Sequence, residues 1–342
     1  MAKSVLERLG RALVRPQTAP AAVVLGTALT PSLAAGLLLF RGPAVEILAA
    51  ALVIGGAAQL AARWLRLPAA PLLAGLIGVA FVGPGTSPLL AALVALVGSL
   101  LELGRARLAP GLRLQAGLLA YVGALLMARG LVTIYVNPAT GSPVAEPIRL
   151  WLDLNGGQSP IDPIKLYVGN VAGPVFATSL LAVVLGAAWL WYARRLSLPT
   201  LVAFAAGAIA PVIYYRWSLP FQLISGPLWF AGALLLSDRS YLPDSRIGQP
   251  LVGLAAGLLA LMARARGLAI ESVMEATLLV QLVAAGATAA LSPLTGSRPS
   301  PTPAPAQPGR PKSGPRARPS ASAQARTPSS ERAKRRAKSL RT

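Results

Sequence analysis

The sequence predicts an all-α, polytopic membrane protein with about ten transmembrane helices and a disordered basic C-terminal tail. Three observations predict it. Hydrophobic residues make up 54% of the 342-residue chain and charged residues only 13%, where an ordinary soluble domain carries about 25% charged. Apolar runs of about 20 residues recur, the length that crosses a hydrocarbon core. A single long polar break, residues 137–173, divides an otherwise nearly continuous apolar sequence.

Residues 1–19 read as a cytoplasmic N-terminal segment. Lys3, Arg8, Arg11 and Arg15 suit a short amphipathic helix at the membrane surface. The run over 20–40 is too long for a secretory signal and lacks its cleavage site, so it reads as a retained first span. Further spans fall near 43–62, 68–83, 87–104 and 114–136, completing a five-span half over 20–136. Residues 137–172 form the polar loop. A second five-span half, 173–292, holds spans near 173–193, 198–215, 219–237, 247–265 and 269–292. Residues 293–342 are rich in Pro, Ser, Ala, Arg and Lys and cannot bury enough surface to offset their ordering entropy. That tail either attracts anionic membrane lipids or serves only as a solubilising, orienting segment.

Charge sets the orientation. With the N-terminus inside, inside loops hold Lys3, Arg8, Arg11, Arg15, Arg63, Arg66, Arg105, Arg107, Arg113, Arg194, Arg195, Arg239 and Arg246. Outside loops hold Arg41, Arg149, Lys165, Arg216, Arg264 and Arg266, with the Arg264/Arg266 pair as the main violation. Thirteen against six places both termini in the cytoplasm and the central loop outside. The net charge of +21 is largely topological, since twelve of the 32 Lys and Arg lie in the last 45 positions. It does not indicate nucleic acid. The chain has no Cys and no His. Disulfides, thiolate-held clusters, His-ligated haem and the usual zinc sites are excluded.

Polar groups inside spans are costly and therefore the first candidates for function. They are Gln59, Glu102, Arg129, Glu271, Glu275 and Gln281. Glu271 and Glu275, four apart, share one helix face. They read either as an ion relay or as an interfacial helix start where carboxylates favour the dipole. Glu102 has Arg105 and Arg107 nearby, and Arg129 has no evident partner. Asp238 opens the polar stretch SDRSYLPDSRIG, with Arg239 or Arg246 within reach to fix it. Trp189, Trp191, Tyr192, Tyr214, Tyr215, Trp217 and Phe221 lie at span ends, as an interfacial aromatic belt does. Stacking on a quinone or flavin is the other reading of them.

Three stretches carry a family resemblance. From Asp153 the loop reads DLNGGQSPIDPIK, residues 178–186 read TSLLAVVLG, and residues 230–249 read FAGALLLSDRSYLPDSRIGQ. The chain resembles the D subunit of the Rnf electron-transport complex and its relative, the B subunit of the sodium-pumping NADH:quinone oxidoreductase. That family carries D-x-x-S-G-A-T-P-L-D-x-L-K at the loop. Asp153, Gly157, Pro160, Asp162 and Lys165 match it without a gap, and Ser159 stands where the family has threonine. Asp238, Pro243 and Gly248 coincide with a second family string, and the fit continues through Glu271.

The resemblance implies FMN attached through its phosphate to the Ser159 hydroxyl, near Asp153, Gly157, Asp162 and Lys165, with Glu271, Glu275 and Asp238 as ion-path candidates. It implies a membrane subunit of an ion-translocating electron-transport complex, coupled to Na+ or H+ movement. Its partners would be other membrane subunits and a flavin transferase. The rival readings are a channel or small-solute transporter on the same scaffold, or a flavin-free assembly scaffold.

Overall fold

Proline starts most of the helices, because its missing N–H is no loss in a first turn. A computed structural model describes residues 14–154 and 161–291. The helices are α1 (Ala21–Trp64), α2 (Pro71–Ala80), α3 (Pro88–Leu108), α4 (Ala116–Val132), α5 (Pro147–Asp153), α6 (Pro163–Val168), α7 (Leu180–Tyr192), α8 (Leu198–Tyr214), α9 (Leu219–Ile224), α10 (Gly248–Ala265) and α11 (Ser272–Leu291). A π-helix, Phe230–Leu236, lies between α9 and α10. No strand occurs among the described residues, only the isolated bridges Val136↔Pro143 and Leu196↔Asp238. The expected amphipathic segment at residues 1–13 and the tail from 292 onward lie outside the described residues.

Among the described residues, four helices, α1, α3, α10 and α11, are long and apolar enough to cross a membrane. Leu38, Val53, Leu89, Leu126, Val202, Ile213 and Val283 are each between 64% and 82% exposed, an apolar exterior that only lipid or another membrane subunit covers. The expected spans are modified where proline and glycine interrupt them. The first two fuse into α1, broken at Arg41, whose φ of 49° and ψ of −118° are not helical. The third shrinks to α2, whose ten residues rise about 15 Å. The eighth breaks at Ser225–Gly226–Pro227, with Gly226 at φ 75°.

Small residues let the backbones touch. Along α8 and α10, a Cβ on Gly257 would stand 2.1 Å from the Phe204 carbonyl oxygen, and one on Gly253 2.2 Å from that of Thr200. This pair forms a G-x-x-x-G contact of the kind that replaces hydrophobic driving force inside lipid. In the first half, Gly117 meets the Ala74 carbonyl in the same way, which locks α4 onto α2.

The two discontinuous elements meet in the interior. After α2, Phe81–Gly85 leaves the helix in a series of turns: Gly83 and Gly85 donate to the carbonyls of Val132 and Ile134 at 2.8 and 2.9 Å. Val175 donates to Val82 at 2.9 Å, so the segment leading into α7 closes the other edge. Phe81 packs edge-on against Phe230 of the π-helix at 5.2 Å, joining the halves.

Helix ends follow one pattern. After α1, α7 and α8 the chain turns through Arg66, Arg194 and Arg216, at φ 53°, 57° and 57°. In each case the next residue donates back to a carbonyl five positions earlier: Leu67 to Ala62, Arg195 to Leu190, Trp217 to Val212. These are Schellman caps, in which glycine usually occupies the left-handed position. Gly267 does so after α10.

Candidate functional site

The polar loop is anchored by its own acid. Glu146 N-caps α5, its Oε2 accepting from the Ile148 amide at 2.6 Å and its Oε1 from Arg149 at 2.9 Å. Capping turns Ile148 and Trp151 inward, where both are buried with Leu166, Val171, Phe221 and Ile270. Trp151 packs edge-on against Trp217 at 5.0 Å, and Trp217 stacks on Tyr215 at 5.0 Å with planes 20° apart. Aromatic residues that sequence reading assigned to a belt therefore form the floor under the loop.

Charges are buried beneath that floor. Arg264, near the end of α10, is fully buried. Its Nη1 donates to the Gln222 carbonyl at 2.9 Å and to Gln222 Oε1 at 3.1 Å, and its Nη2 to the Ser225 carbonyl at 3.5 Å. It thus gathers the carbonyls freed where α9 breaks. Its Nε, with Gln222 Nε2 and Ser225 Oγ, has no hydrogen-bond partner. Glu271, one residue before α11, is 4% exposed. Arg129 Nη2 stands 3.3 Å from its Oε2, an ion contact outside hydrogen-bond geometry. The hydroxyls of Tyr121 and Tyr135 are buried beside these groups and lie next to each other. Unsatisfied buried polar groups are few in folded proteins, so this concentration marks a site.

Burial pushes the Glu146 carboxyl up to about 8, with the nearby Glu271 adding to it. The two amides and Arg264 pull the other way without prevailing. A carboxyl raised on folding stabilises the fold fully below its unfolded value near 4.5 and loses that contribution as pH rises through about 8. Thermal stability should therefore fall from about pH 4.5 to about pH 8 and level off above it. Glu146→Gln should flatten that part of the profile in a melting series; an unchanged slope would exclude Glu146 as its source.

A second network lies at the opposite end of the helices. Asp238 is fully buried. Its Oδ1 accepts from Arg195 Nη2 at 3.2 Å, from the Ser240 amide at 3.0 Å and from Ser240 Oγ at 2.9 Å. Arg195, rather than Arg239 or Arg246, is its partner, because the Leu196↔Asp238 bridge brings the two segments together. Ser197, Thr200 and Gln249 continue the network at 2.9 Å steps. Glu102 pairs with Arg105 at 2.7 Å, and Arg113 grips Asp244 with both nitrogens.

The structure separates the remaining sequence candidates. Asp153 pairs with Arg149 at 3.5 Å, and Asp162 caps α6 through the Ile164 amide at 2.8 Å. Lys165, in the last turn of α6, is exposed. Glu275 is half-buried in the first turn of α11. Ser159 and Gly157 lie outside the described residues. Sequence reading missed Glu146, Gln222 and Arg264. Arg264 had been counted in an outside loop, yet it is a buried helical residue, which removes half of the main violation of the charge rule.

The sequence matches the NQR2, RnfD, RnfE family over residues 16–288. The chain belongs to that family. As an NQR2/RnfD/RnfE member built of apolar helices, it is a multi-pass membrane subunit of an Rnf/Nqr-type complex. No curated protein matches the chain. In this member the loop-side cluster of Arg129, Glu146, Arg264 and Glu271 ties α4, the loop, α10 and α11 into one charged centre.

Proposed function

We propose that this subunit positions FMN at the outer membrane face through Ser159 and contributes buried charges to ion movement coupled to electron transfer. The observation that carries the reading is the charged cluster where the polar loop enters α5: Glu146, Arg264 and Glu271 are buried, and the half-exposed Arg129 pairs with Glu271. The residues flanking residues 155–160 suit a flavin. Tyr215 and Trp217, exposed and half-buried, offer aromatic faces to an isoalloxazine ring, with the buried Trp151 packed behind Trp217. Lys165, exposed and with no ion pair or hydrogen bond from its ammonium among the described residues, offers a cation to a phosphate. When bound, the flavin supplies one- and two-electron redox chemistry. Glu146 then does two things: it caps α5, and it holds a proton in a site where its charge would be costly. Arg129 balances Glu271.

A channel or transporter is the second reading. Discontinuous helices meeting in the interior, as α2 and the π-helix do at Phe81 and Phe230, are common in transporters. Co-expression with the cognate flavin transferase separates the two. Intact mass and in-gel fluorescence should show one FMN on the wild-type chain and none on Ser159→Ala. An unmodified wild-type chain, beside a control substrate modified in the same cells, would remove covalent FMN and leave the transporter reading.

A further inference from the structure

We propose that a groove between α7 and α8 holds an acyl chain of an anionic phospholipid, whose phosphate is bound by Arg194 and Arg239. The groove encloses about 720 Å3, and every residue lining it is apolar, including Val184, Trp191, Leu198, Leu223 and Trp229. Its lining runs along α7 from Leu180 to Trp191. That distance is roughly 16 Å at helical rise, about one leaflet of a hydrocarbon core roughly 30 Å thick. A helix from a neighbouring subunit would need a groove through both leaflets. The length therefore favours a lipid.

The charge at one end fixes the kind of lipid. Just past Trp191, which is 63% exposed, the chain turns at Arg194. The Arg239 amide donates to the Arg195 carbonyl at 3.1 Å, so Arg194 and Arg239 lie on one edge. Arg195 is committed to Asp238 and Ser240. Asp244 is committed to Arg113. Arg194 and Arg239 are exposed and have no ion pair or hydrogen-bonded acceptor for their guanidinium groups among the described residues. Two exposed guanidinium groups just past the Trp191 end of a leaflet-length apolar groove match a phosphodiester head with its chain below. A second apolar groove, lined by Ile54, Leu89, Leu93 and Leu131, has the nearby Arg129 held by Glu271.

The test uses the full chain in phosphatidylcholine vesicles containing a small fraction of lipid brominated in its acyl chains. That lipid is either phosphatidylglycerol or phosphatidylcholine. Subtracting the signal of the Trp191→Phe, Trp229→Phe double variant isolates the groove tryptophans. Brominated phosphatidylglycerol should quench them at a lower mole fraction, by about fivefold for each arginine. Arg194→Gly with Arg239→Gln should erase that preference, and glycine suits the backbone at 194, so misfolding is not a rival explanation. Ala188→Phe, which fills the groove from its exposed side, should reduce quenching by both lipids. Equal quenching by the two lipids, a preference that survives loss of both arginines, or groove tryptophans shielded from either lipid by a protein neighbour would each overturn the proposal.

Discussion

Arg264→Leu should cost the fold about 3–5 kcal/mol, read as a drop in denaturant midpoint or loss of a monodisperse peak in detergent. Burying a leucine there is not a neutral exchange. The guanidinium serves the Gln222 and Ser225 carbonyls at the break after α9, and each buried group left without a donor costs about 1–3 kcal/mol. Glu146 would also lose a compensating charge. Arg264→Lys should recover only part of the loss, because an ammonium is a point charge and cannot fork between two carbonyls. A leucine variant as stable as wild type would mean that the break is held by the loop packing alone.

Gly257→Val should prevent α8 and α10 from closing, at about 3 kcal/mol or more. The added Cβ would lie 2.1 Å from the Phe204 carbonyl oxygen and 2.8 Å from the Ala208 amide nitrogen, both backbone atoms that cannot rotate away. Gly123→Ala is the matched control. Nothing stands within 4 Å of its added Cβ, and alanine favours a helix by about 1 kcal/mol over glycine. If both variants purify and melt alike, close backbone approach is not what holds the second half together.

The architecture was legible because lipid-facing residues must be apolar over a whole helix length, and composition reports that directly. Helix interruptions were less so. Pro227 and Gly226 signal a break, but the same residues are tolerated within membrane helices when neighbours satisfy the freed carbonyls. Whether a neighbour does so depends on Arg264, which lies 37 positions after Pro227 (264 − 227). The charged site was legible only in its local pairs. Glu102 and Arg105 are three apart on one helix and could be paired from spacing. Arg129 with Glu271 and Arg195 with Asp238 are joined only by tertiary packing, so no spacing rule reaches them. Nothing in the sequence singles out Glu146 from other loop acids. Its burial follows from Trp151 and Ile148 packing on Phe221 and Ile270, which the sequence does not place together.

The arginine caps after α1, α7 and α8 bear on how the chain is made. A left-handed conformation costs a side-chain-bearing residue roughly 1–2 kcal/mol, and glycine would close the same turns without that strain. Glycine, however, carries no charge for the insertion machinery to sort. Arg66 and Arg194 each end a helix and carry a positive charge in a loop that charge counting places inside, whereas Arg216 ends a helix on the other side and gains nothing of the kind. At Arg66 and Arg194 the finished fold thus retains a small strain whose benefit falls during synthesis, when each emerging segment is committed to one side of the bilayer before any tertiary contact exists.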